Sequence, residues 1–100
     1  MLGRYRAAYE RLDAAAARSV WPKVNSSALE RAFAQLEQQG MSFDRCEIGI
    51  YGALAQASCS GTARYVPRSG SKTPRVDRRQ WTFRLRKGTE DWTIDSVEVR

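Results

Sequence analysis

The chain has 100 residues, 42% hydrophobic and 28% charged, which is room for one domain with one core and excludes a second. A net charge of +6 and a pI near 9.9 imply attraction to anions such as nucleic acid, phospholipid headgroups or an acidic protein face, without choosing among them. Histidine is absent, which removes the commonest general base and metal ligand, and no run approaches the ~18 apolar residues of a membrane span.

From Leu2 to Val20 the apolar positions Leu2, Tyr5, Tyr9, Leu12, Ala16 and Val20 recur at helical spacing, with Arg4, Arg6, Glu10, Arg11 and Arg18 mostly elsewhere. Asp13 precedes a run of four alanines and can cap a fresh start, so one rod and a break near Leu12-Asp13 both fit. Trp21-Pro22 ends the segment, because a residue before proline is pushed out of the α region. A second helix is expected from about Ser26 to Gln39, burying Leu29, Ala32, Phe33 and Leu36 and stopped by Gly40 in the left-handed region. Its cap is either Ser27, in a box with Glu30, or Asn25, with Val24 stapled onto Leu29; the second uses both neighbours.

After Gly40 the period changes to two. Met41 and Phe43 alternate in one phase and Cys46, Ile48 and Ile50 in the other, which predicts a bulge near Asp44-Arg45. Gly52-Ala53 has glycine first in a two-residue loop, the signal of a type II′ hairpin turn, since glycine takes positive φ there without strain. That turn sets the register: Tyr51 opposes Leu54, Ile50 opposes Ala55, Ile48 opposes Ala57, and Cys46 opposes Cys59. Counted outward from the loop, the cysteines form a non-hydrogen-bonded pair, with Cα atoms about 4.5 Å apart, within reach of a disulfide. A joined pair is expected; the alternative is two reduced cysteines serving as small apolar residues. Closing a loop of about 14 residues stabilises by up to ~3 kcal/mol, less here because the hairpin already holds its ends together.

A disulfide implies an oxidising compartment, yet Met1-Leu2-Gly3-Arg4-Tyr5-Arg6 is too charged for the apolar core of a signal peptide. The expectation is a piece of a longer secreted or membrane-anchored chain. With both cysteines paired, no zinc or iron site is expected, and no cofactor.

The second strand is expected to run from Leu54 to Tyr65 or Val66. Pro67 to Arg75 reads as a loop by its proline, glycine and serine content. Trp81, Phe83 and Leu85 alternate with Thr82, Arg84 and Arg86 in a third strand with one inward side. A turn near Lys87-Gly88-Thr89-Glu90 leads to Trp92, Ile94, Val97 and Val99, with the phase slipping near Asp95-Ser96. Helices followed by four antiparallel strands give an α+β class, the helices on one face of a strongly curved sheet.

The order Tyr9-x-x-x-Asp13, Trp21-Pro22, a helix, the hairpin Ile48-x-Ile50-x-Gly52-x-x-Ala55 and a closing Trp92-x-Ile94-Asp95-Ser96-Val97 resembles the nuclear transport factor 2-like, or SnoaL-like, superfamily across nearly the whole chain. The resemblance implies a cone-shaped, cystatin-like roll, and supports fold far more than function. Where the family's hairpin usually has Gly-Asp, this chain has Gly52-Ala53. The paired cysteines and short length resemble the subset found as C-terminal extracytoplasmic domains of bacterial membrane proteins, including membrane-anchored serine/threonine kinases. That resemblance implies a non-catalytic sensing or interaction module.

Enzymes of the superfamily place an acid, with a histidine, arginine or tyrosine, in the cone's cavity, because proton abstraction needs a base of tuned pKa. The acids nearest the apolar elements here are Asp13, Glu47 and Asp95, with Tyr5, Tyr9 and Tyr51 as donors; no two acids are forced onto one inward face, and catalysis is not expected. The alternative is a small lyase or isomerase using Asp13 with a tyrosine. Tyr5, Tyr9, Asp13, Trp21, Phe33, Trp81, Phe83 and Trp92 are the candidate pocket residues, with plain core packing as the competing account of the aromatics. Arg64, Arg68, Lys72, Arg75, Arg78 and Arg79, opposed only by Asp77, form a candidate anion-contacting loop over 64–79, expected to be a mobile arm. Nucleic acid is disfavoured, because few aromatics are interleaved with these cations. A membrane would be met through a parent protein or weak electrostatics. A homodimer is expected through the outer sheet face, carrying Tyr51, Leu54 and Val66.

Overall fold

The computed structural model describes residues 2–89 and 91–100. Three helices, α1 (Leu2–Glu10), α2 (Ala14–Val20) and α3 (Ser26–Ala34), precede four strands, β1 (Leu36–Tyr51), β2 (Leu54–Pro67), β3 (Arg75–Lys87) and β4 (Trp92–Val99). The strands form one open antiparallel sheet in the order β1-β2-β3-β4.

The first segment is broken, not a single rod. The Leu12 N–H donates to the Tyr9 carbonyl at 3.0 Å and the Asp13 N–H to the Ala8 carbonyl at 2.9 Å, the paired bonds that close a helix through a left-handed residue. That residue is Leu12, at φ 53°. Asp13 then caps α2, its carboxylate accepting from the Ala16 N–H at 3.0 Å. The restart moves the buried face from Ala16 to Ala14, Ala17 and Val20. Asn25 caps α3, accepting from the Ala28 N–H at 3.1 Å.

The second helix ends earlier than its sequence suggests. Residues 36–39 form the start of β1, where Leu36 pairs with Pro67 and Gln38 with Val66, and the Arg68 N–H donates to the Gln35 carbonyl at 2.9 Å. Ladder bonds to a distant strand thus replace another helical turn. Gly40 lies inside β1 without positive φ, so it is not a helix stop. Of the four residues expected on the buried face of α3, Phe33 is buried, Leu29 and Leu36 are half-buried, and Ala32 is exposed.

The hairpin register is as expected from Tyr51/Leu54 to Cys46/Cys59, Gly52 has φ 62°, and Cys46 and Cys59 are joined with Cα atoms 4.1 Å apart. Register shifts fall between Phe43 and Arg45 and beside Asp95, where Arg84 pairs with Ser96 and Leu85 with Ile94. These bulges, with a third between Leu36 and Gln38, bend the sheet. The first brings the Ser42 carbonyl against Gly61, where a Cβ would collide with it.

β3 begins at Arg75, opposite Tyr65, so the loop shrinks to 68–74 and Arg75, Arg78 and Arg79 lie on a paired strand. At the final turn, the Gly88 N–H donates to the Asp91 carbonyl at 2.8 Å; Glu90, like Met1, lies outside the described residues. The core joins Tyr5 and Val20 to Met41, Ala55, Ala57, Cys59, Trp81, Phe83, Leu85 and Ile94, with Tyr9, Trp21, Phe43 and Trp92 packed against it. Trp81, Phe83 and Leu85 share the helix-facing side as their alternation requires.

Candidate functional site

The helix-facing side of the sheet, where a cone-shaped fold would hold a cavity, is filled with aromatic rings. Tyr5 meets Phe83 edge-on at 5.1 Å between centroids, Phe43 meets Trp81 at 5.0 Å, and Tyr9 meets Phe33 at 5.2 Å. Edge-to-face contacts of this kind pack rings without leaving space between them. Tyr5, Phe33, Trp81 and Phe83 are buried core, while Tyr9, Trp21 and Trp92 are half-buried at its margin.

No charged side chain among the described residues is buried. Asp13 is half-buried, and its carboxylate is engaged with the Ala16 N–H. Burial, with Tyr9 beside it, holds the Tyr5 phenol far above its ordinary range; burial also raises Tyr9, opposed by the neighbouring Tyr5 hydroxyl. Both phenols stay protonated at neutral pH, able to donate or accept a hydrogen bond but not to act as anionic bases. Asp95 is bound from outside the core, by Arg86 at 3.1 Å and Lys23 at 3.4 Å, and exposed Glu47 pairs with Arg45 at 3.1 Å.

An open cleft of about 840 Å³ lies at the end of the sheet away from the hairpin turn, lined among others by Glu10, Glu37, Gln39, Arg64, Tyr65 and Val76. None of the eight candidate pocket residues lines it. Gln39 Oε1 is buried without a hydrogen-bond partner, which leaves the cleft an acceptor that a polar guest could satisfy. Sequence reasoning placed Gln39 in the second helix; the amide pair Gln38-Gln39 before Gly40 was the sole hint of a polar end to a strand. Asp13 and Phe33 instead border a shallow groove of about 640 Å³ with Arg11, Glu30 and Arg68.

The six cations are distributed over two strands and one short loop, so they do not make a mobile arm. Arg64 is on β2; Arg75, Arg78 and Arg79 are on β3; Arg68 and Lys72 are in the loop between them. The Arg68 guanidinium donates to the Leu36 carbonyl at 3.3 Å. Arg78 pairs with Asp44 at 2.6 Å, Arg79 with Asp77 at 3.3 Å and Lys72 with Glu37 at 3.7 Å. Among the described residues Arg64 and Arg75 take no part in an ion pair. Exposed pairs of this kind add little stability.

No protein-family profile matches the chain, and no curated protein matches it in sequence. Solved structures do match it in shape. A nuclear transport factor 2-like superfamily protein from Salmonella enterica superposes with a TM-score of 0.87 at 12% identity, over 99% of this chain and 84% of that one. A protein of the same family from Streptomyces avermitilis, provisionally named a dehydratase, gives 0.85 at 13% identity, over 98% and 89%. A protein from Novosphingobium aromaticivorans with a cystatin-like fold gives 0.70 at 16% identity, over 98% and 75%. The chain has the nuclear transport factor 2-like, cystatin-like fold.

Proposed function

We propose that this chain is a non-catalytic interaction domain of a larger bacterial extracytoplasmic or membrane-anchored protein. The observation that carries the reading is the filled interior: Tyr5, Phe43, Trp81 and Phe83 occupy the place where a substrate would sit, and no carboxylate is buried beside them among the described residues. The alternative, a small lyase or isomerase, draws on the provisional name of the Streptomyces protein. It would use Asp13 with Tyr5 or Tyr9, but here the acid is a helix cap and both phenols are held protonated. The disulfide supports an oxidising setting, and no helix among the described residues is long and apolar enough to cross a membrane.

Protein-observed NMR during titration with a panel of small aromatic and keto-acid fragments tests the interior. No fragment should shift resonances of Tyr5, Tyr9 or Phe83, and binding centred on those side chains overturns the non-catalytic reading. Maleimide labelling in intact cells, before lysis, tests the compartment: Cys46 and Cys59 should both be unreactive until reduced, and two labelled thiols overturn the placement.

A further inference from the structure

The hairpin end of the sheet is built unlike the rest. Ile48 is 61% exposed, Ile50 64% and Tyr51 73%, and they lie on β1, an edge strand. From Cys46 to Cys59 the only charged residue is Glu47, in a chain where 28% of residues are charged. Natural sheets protect an edge with lysine, proline, bulges or brevity. The other edge, β4, is eight residues long and bulged at Asp95. β1 spends its bulge at Asp44, and Cys46–Tyr51 carries none of those devices, while the disulfide pins it to β2.

The alternation of the hairpin ladder determines which backbone groups face outward. Tyr51/Leu54 is the hydrogen-bonded pair next to the turn, so Cys46, Ile48 and Ile50 sit in non-hydrogen-bonded pairs with β2 and present their N–H and C=O groups to the open edge. Two copies of this edge, antiparallel about a two-fold axis at Gly49, set Ile48 against Ile50 of the second copy and Ile50 against its Ile48, each a hydrogen-bonded pair. Gly49 meets Gly49 on the axis without a side chain to obstruct it. Tyr51 comes opposite Glu47 of the second copy.

Ile48 and Ile50, exposed in the single chain, gain apolar cross-strand partners in this pairing. We infer that Cys46–Tyr51 of β1 is a self-association edge that joins two copies of this chain into one continuous eight-stranded sheet. This surface is the strand edge, distinct from the outer face expected from sequence, where Tyr51 and Leu54 are exposed but Val66 is buried. The inference is independent of whether the interior binds a substrate.

Sedimentation velocity over a concentration series tests it. The intact chain should be a dimer in the micromolar range, and the exposed-site double variant Ile48→Lys/Ile50→Lys should lose the dimer while keeping the melting temperature of the isolated monomer. Gly49→Cys should give an oxidised species of twice the chain mass on a non-reducing gel, because that pair is the one nearest the axis. A chain that stays monomeric at every concentration overturns the proposal and leaves an extended segment of a different protein as the occupant of the edge. A dimer that survives both lysines, or Gly49→Cys that never cross-links, overturns it by placing the interface elsewhere.

Discussion

Ile48, Ala57 and Phe83 stand in one row across the sheet, paired β1 to β2 and β2 to β3, and partners in such a row point to the same side. Yet Ile48 is 61% exposed while Ala57 and Phe83 are fully buried. The next row repeats the contrast, with Ile50 at 64% beside Ala55 at 7% and Leu85 at 8%. Two strands of the same phase and similar apolar content thus have opposite fates, because the Tyr5 and Val20 side chains of α1 and α2 pack into one core with Ala55, Ala57, Phe83 and Leu85, while Ile48 and Ile50 at the hairpin end of β1 are left uncovered. A strand's alternation says which side it turns inward; it does not say whether anything covers that side.

The strongest way to test this contrast is to truncate both ends of one row. Phe83→Ala should lose about 3–5 kcal/mol in denaturant melts, as a core truncation, and Ile48→Ala, measured at concentrations where the chain is monomeric, should stay within about 0.5 kcal/mol. Equal effects would mean that Ile48 is covered in solution.

The disulfide bridges the two regimes, joining exposed Cys46 to Cys59 in the core. Reduction should therefore proceed without unfolding and lower stability by up to ~3 kcal/mol, less in proportion to how well the ladder holds the ends. A thermal melt unchanged by reduction would show that the ladder alone sets this end of the sheet. At the boundary, Gly61→Ala drives a methyl into the Ser42 carbonyl and should cost about 1–3 kcal/mol; a neutral result would place the bulge elsewhere.

A smaller effect is expected from pH. An exposed phenol ionises near pH 10, and folding keeps Tyr5 protonated well above that, so its contribution is complete below pH ~10 and declines above it by about 1.4 kcal/mol per pH unit. Tyr5→Phe should flatten that alkaline slope, and an unchanged slope would mean that Tyr5 is not the buried phenol responsible.

Local chemistry was enough to read much of this molecule. Gly52-Ala53 specifies a two-residue turn, a two-residue turn specifies register, and register puts Cys46 opposite Cys59; each step acts between near neighbours, so each is legible in the chain. The phase slips at Asp44-Arg45 and Asp95-Ser96 were readable for the same reason, as was Asn25 as a cap. Long-range pairing decided the rest. Leu36–Gln39 has helical neighbours and becomes strand because Val66 and Pro67 lie alongside it. Arg75–Arg79 reads as a polar loop and becomes strand because Gly61–Tyr65 supplies its ladder. Gln39, left unpartnered in the cleft, and Ile48 and Ile50, left uncovered at the edge, depend on where three short helices come to rest. That position is settled by the summed packing of Tyr5, Val20 and the aromatic rings across the sheet, a global property that no window of sequence contains.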